Sequence, residues 1–166
     1  MIWNKKGDLP DIIFYSVVLT IFAVAMLIGF KITSAMNDQF QTLEGVNITE
    51  VKEASATLTS FYPGVIDKSY LLFVMGIALC TLIAASMVPV SPIYIPFYLL
   101  GLFVTIFVSG VLSNLYQTMA ANPAFSAESA QLVFIGMVMN KLPYFVGVVG
   151  IVLMVIMYKV YSTKNA

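Results

Sequence analysis

The chain has 166 residues, of which 60% are hydrophobic and only 10% charged, and its eight basic and eight acidic side chains cancel. Mean hydropathy is strongly positive, so the chain lacks the polar exterior that a water-soluble domain of this length needs. All basic residues are lysines, there is no histidine, and Cys80 is the sole cysteine. This inventory speaks against zinc, copper or haem sites of the common kinds, a histidine-based triad and a field that attracts nucleic acid.

Taken in chain order, Trp3 suits a headgroup region, and Lys5 and Lys6 precede an apolar run in a way that superficially matches a secretion signal. The run from Ile12 to Phe30 is longer than a signal core. It passes into Lys31-Ile32-Thr33-Ser34 without a small-x-small cleavage site, so it reads as a retained membrane span. With Asp8 as a candidate N-cap and Pro10 where a missing amide donor matters little, the first membrane helix is expected over 9–32.

Residues 33–68 change character, holding Asp38, Glu44, Glu50, Glu53 and Asp67 against Lys52 and Lys68. This acidic loop should lie in water or on a protein partner. Asn47-Ile48-Thr49-Glu50 offers a capped helix start, and Val51, Ala54, Leu58 and Phe61 recur at helical spacing until Tyr62-Pro63-Gly64. A short amphipathic helix on the bundle or membrane surface follows, with Val51, Leu58 and Phe61 as candidate partner contacts. Asn47-Ile48-Thr49 also matches a glycosylation sequon, a triplet that arises easily by chance.

From Ser69 to Ala127 there is no charged side chain, enough chain for two crossings of about 20 residues each. A second span is expected over 69–88, capped by Asp67 or Ser69. Pro89, Pro92 and Pro96 then break the backbone, and the short link predicts a tight antiparallel hairpin into a third span over 95–116. Cys80 reads as a small buried hydrophobe.

Asn122-Pro123 closes the next connection, and Ser126 with Glu128 marks a new helix start. The apolar stretch from Ala130 to Asn140 reaches only about 16 Å as helix, short of a hydrocarbon core of about 30 Å. It is therefore read as an interfacial or re-entrant helix over 126–141, bending at Pro143 into a fourth span over 142–161. Tyr158, Lys159, Tyr161 and Lys164 form a membrane-boundary pattern.

These elements predict an all-α integral membrane protein, a bundle of four transmembrane helices with short amphipathic and interfacial helices. An even number of crossings places both termini on one side. The terminal lysines, in short tails beside the spans, favour the cytoplasm or its topological equivalent. Lysines 31 and 141 sit at helix ends where they can snorkel to water. Asn114, Asn140 and Lys141 are the intramembrane polar candidates, with Gln117 as a possible partner. No inverted repeat, phosphate loop or nucleophile elbow is legible, and Gly101, Gly110, Gly147 and Gly150 read as packing positions. No catalytic, cofactor or metal residue is expected.

The N-terminal anchor, the acidic loop, the proline-broken hairpin around Val88-Pro89-Val90-Ser91-Pro92, the Leu112-Ser113-Asn114-Leu115-Tyr116 helix end and the Lys141-Leu142-Pro143 start of a last span form an organisation. It resembles that of the small multi-span virion proteins of viruses with an internal lipid membrane beneath an icosahedral capsid. The resemblance implies a structural protein that stabilises the viral membrane and links it to capsid proteins, in many symmetry-related copies. It carries over no functional residue. Two other readings stand beside it: a holin-like pore or small channel, whose spans should carry a polar stripe, and an accessory subunit of a membrane complex, which predicts the same features as the structural reading.

Overall fold

The computed structural model describes residues 9–43, 48–87 and 92–164. Trp3, Lys5, Lys6, the Asp8 cap, Glu44, the Asn47 cap and sequon, and the Val88–Ser91 turn lie outside the described residues. In lipid a chain must satisfy its backbone polar groups within each segment, which leaves helix as the solution for long apolar runs. The elements are α1 (Leu9–Thr42), α2 (Ile48–Phe61), a π-turn (Tyr62–Ile66), α3 (Asp67–Ser86), a 3-10 turn (Pro92–Tyr94), α4 (Ile95–Ala120), α5 (Ser126–Gln131), α6 (Val133–Asn140) and α7 (Leu142–Lys164). Four helical stretches, contributed by α1, α2–α3, α4 and α7, are long and apolar enough to cross a membrane. The protein is an all-α, multi-pass membrane bundle.

Its burial pattern is the reverse of a soluble domain. Phe103, 78% exposed, and Phe107, 73% exposed, face outward, while Ser16, Thr20, Thr105, Ser109 and Ser113 are buried. Large apolar side chains meet lipid, and small hydroxyl residues let backbones approach. α4 packs closely on α1 and on α7. In the second contact the α7 glycines matter: a Cβ at Gly150 would strike the Leu102 side chain, and one at Gly147 would meet Ile106 at 3.4 Å. The α7 glycines are thus close-approach positions without the four-residue spacing of GxxxG.

Helix lengths locate the membrane along the bundle. α3 has 20 residues, about 30 Å at 1.5 Å per residue, and so matches a hydrocarbon core. α1 has 34 residues, about 51 Å, and must overhang. The overhang beyond Lys31 pairs with α2: Gln41 Nε2 donates to the Lys52 carbonyl at 3.2 Å and to Asn37 Oδ1 at 3.3 Å. What the sequence suggests as a loop over 33–68 is thus largely a helical hairpin, here called the stalk.

Two further departures have local causes. Tyr62-Pro63-Gly64 does not end the helix. Pro63 removes one amide donor, and the backbone widens into the π-turn, in which the Asp67 amide donates to the Tyr62 carbonyl, before running on into α3. Likewise the expected helix over 126–141 is two helices, broken at Leu132 (φ −89°, ψ 69°). Buried Leu132, Ile135 and Met139 seat α6 inside the bundle against α3 and α4, and it leads through Lys141 into α7.

Candidate functional site

Two regions concentrate features that packing alone does not require: a polar cluster where the stalk joins the bundle, and the outer face of the stalk. The cluster begins with the backbone of α6. Its start exposes amide donors, and Leu132 before it has no side-chain acceptor to cap them. Asp67, only 1% exposed at the start of α3, supplies the cap from across the bundle. Its Oδ2 accepts the Phe134 amide at 2.9 Å and its Oδ1 the Ile135 amide at 2.7 Å. A carboxylate at a helix N-terminus is also favoured by the helix dipole. Asp67 therefore caps α6, not the span it opens.

The other end of α6 is completed in the same way. Pro143 lacks the amide that would have bonded the Met139 carbonyl four residues back. That carbonyl instead accepts the Ser113 hydroxyl at 2.7 Å, and Gln117 Nε2 donates to Ser113 Oγ at 3.0 Å. Thr105, Ser109, Ser113 and Gln117 recur every four residues on one face of α4. The first two return their hydroxyls to carbonyls of their own helix, and Ser109 also reaches Ser16 Oγ at 3.3 Å. These polar groups are consumed within the bundle.

Above α6, Lys31 Nζ pairs with Glu128 Oε1 at 3.1 Å, the glutamate side chain 5% and the lysine side chain 41% exposed. This links the base of the stalk to α5. Tyr70 donates to the Leu19 carbonyl at 3.1 Å and touches Met139 Sδ at 3.4 Å. Tyr116 lies within electrostatic reach of Asp67. The Tyr116 hydroxyl and Glu128 Oε2 are buried without a hydrogen-bond partner among the described residues.

The polar residues singled out from the sequence fall elsewhere. Asn114, Gln117, Asn140 and Lys141 are all exposed, and Lys141 lies 5.7 Å from the centroid of the Tyr144 ring. Only Gln117 touches the cluster. The cluster is built by Asp67, Glu128, Lys31, Ser113 and Tyr116, of which the sequence marks Asp67 and Glu128 only as helix-start residues and Lys31 only as a helix-end lysine. The usable signal was the pairing of an uncapped apolar helix with an acid at a span boundary. Among the described residues there is no group of three His, Cys, Asp or Glu that could hold a metal.

On the stalk, α2 is amphipathic with its faces reversed. Lys52, Ser55, Thr59 and Tyr62 are half-buried, whereas Val51, Leu58 and Phe61 are 45%, 58% and 47% exposed. Ile32 and Met36 of α1 and Leu43 just beyond it point outward as well, and Asp38, Glu50 and Glu53 are exposed too. No protein-family model matches the chain, and no curated protein or solved structure matches it either.

Proposed function

We propose that the protein is a structural membrane component, anchored by its four spans, that docks a neighbouring protein on the outer face of its stalk. The observation that carries this reading is the reversed amphipathicity of α2, whose apolar side is turned away from α1. Apolar area kept in water forgoes about 25 cal/mol for each Å² that a partner would cover, so such a stripe beyond the membrane marks an interaction surface. The neighbouring acids define the partner's chemistry: an apolar patch rimmed by lysine or arginine. By the resemblance in organisation, the setting is a virion whose internal membrane is tied to a capsid shell.

In this arrangement both termini lie on the side of the membrane opposite the stalk, with Lys159 and Lys164 on the cytoplasmic side or its equivalent. The pore reading is less favoured because the α4 hydroxyls bond within the bundle. Replacing Val51, Leu58 and Phe61 with serine tests the assignment. The triple variant should insert normally yet lose the partners that co-purify with the native chain in mild detergent, as read by mass spectrometry. Unchanged partners, or dye release from liposomes by the protein alone, would overturn it.

A further inference from the structure

α1 and α3 run antiparallel, but their backbones stay apart and aromatic rings bridge them. Near the stalk the gap is filled: Phe30 stacks on Tyr62 at 5.1 Å, Phe22 meets Phe73 at 5.6 Å, and Tyr70 reaches across to Leu19. Beyond Phe73 the filling stops, because position 76 is glycine. A Cβ placed there would meet nothing within 4 Å. The result is a lateral groove of about 280 Å³ lined by Tyr15, Phe73, Gly76, Ile77 and Cys80. Tyr15 and Ile77 also line a narrower cavity of about 40 Å³ that continues inward to Val146 and Val149 of α7.

The mouth of this groove is continuous with the lipid-facing surface of α3, where Leu72, Leu79 and Ile83 are exposed. Its walls are almost wholly apolar, which suits a hydrocarbon chain. We propose that a bilayer phospholipid lays one acyl chain in this groove and wedges α1 against α3. Hydrophobic transfer gives no gain inside lipid, so the driving force is dispersion contact along walls that otherwise lack partner atoms. The headgroup is not part of the recognition.

The test uses the full chain in dioleoylphosphatidylcholine vesicles doped with a phosphatidylcholine that carries a diazirine in one acyl chain. After irradiation, adducts on Tyr15, Ile77 and Cys80 should exceed those on lipid-facing Phe103 and Phe107 several-fold. Gly76→Phe should abolish that excess and leave the Phe103 adducts unchanged, whereas Gly76→Ala should behave as the native chain. An even spread of adducts on the native chain overturns the proposal whether or not Gly76→Phe inserts. So does an excess that survives Gly76→Phe, or protein–protein crosslinks through the groove.

Discussion

Asp67 holds two amide donors with two oxygens, and no neutral side chain of its size can do that. Asp67→Asn keeps one acceptor and turns an amide N–H toward the other donor, so a buried backbone group loses its partner at a cost of about 1–3 kcal/mol. A matching fall in the unfolding midpoint, followed by circular dichroism as the dodecyl sulfate fraction rises, is the expected result. Lys31 and Glu128 behave differently because one partner is half in water. Lys31→Met strands the Glu128 carboxylate and should destabilise by about 2 kcal/mol, between the values for exposed and buried pairs. Adding Glu128→Leu removes the stranded charge and should bring stability back to within about 1 kcal/mol of native. A double variant no more stable than Lys31→Met would show that the pair is not the link between stalk and α5. The tyrosines give opposite signs: Tyr70→Phe removes a donor from Leu19 and costs about 1 kcal/mol, while Tyr116→Phe deletes an unpartnered hydroxyl and is neutral or stabilising.

At the scale of elements, the break between α6 and α7 is a proline defect repaired by a serine on another helix. Ser113→Ala should take the hydroxyl donor from the Met139 carbonyl and cost about 1 kcal/mol, in the range measured for hydrogen bonds between membrane helices. In a Pro143→Ala background the restored amide can serve that carbonyl, so the same serine change should cost almost nothing. The difference between the two costs, obtained from the four chains of a double-mutant cycle, isolates the repair. Equal costs in both backgrounds would mean that Ser113 matters only for packing. Pro143 makes the break before α7 legible from the sequence, because a missing amide donor follows from backbone chemistry alone. The break at Leu132 was not legible: its cap comes from Asp67, far away in sequence, and no local motif records a cap supplied in space. In the same way Val51, Leu58 and Phe61 showed the period of a helix. Which way their face would turn depended on the polar inner side of α1, beyond the reach of periodicity.

For the whole molecule, the four spans were readable because hydropathy and length are properties of the chain alone, whereas the stalk was not, since a helix does not stop where the membrane does. Residues 33–68 are polar enough to leave lipid and helical enough to continue α1, and a reading tuned to solvent boundaries sees only the first of these. The same geometry makes a prediction about sides. With net charge zero and lysines near both ends of the bundle, the expected orientation follows from Lys159 and Lys164 at the end of the last span, and the overhanging α1 and α2 would then put the stalk on the opposite side. In a Cys80→Ala background, Ala56→Cys on the exposed stalk and Ser162→Cys on the exposed end of α7 report the two sides separately. In sealed vesicles whose lumen is the former cytoplasmic side, a membrane-impermeant maleimide should label position 56 at once and position 162 only after permeabilisation. Labelling of both positions in intact vesicles would place the stalk and the C-terminal tail on one side, a result that four complete crossings do not allow. Labelling of position 162 alone would keep the four crossings, reverse the orientation and put the docking face where the terminal lysines were expected.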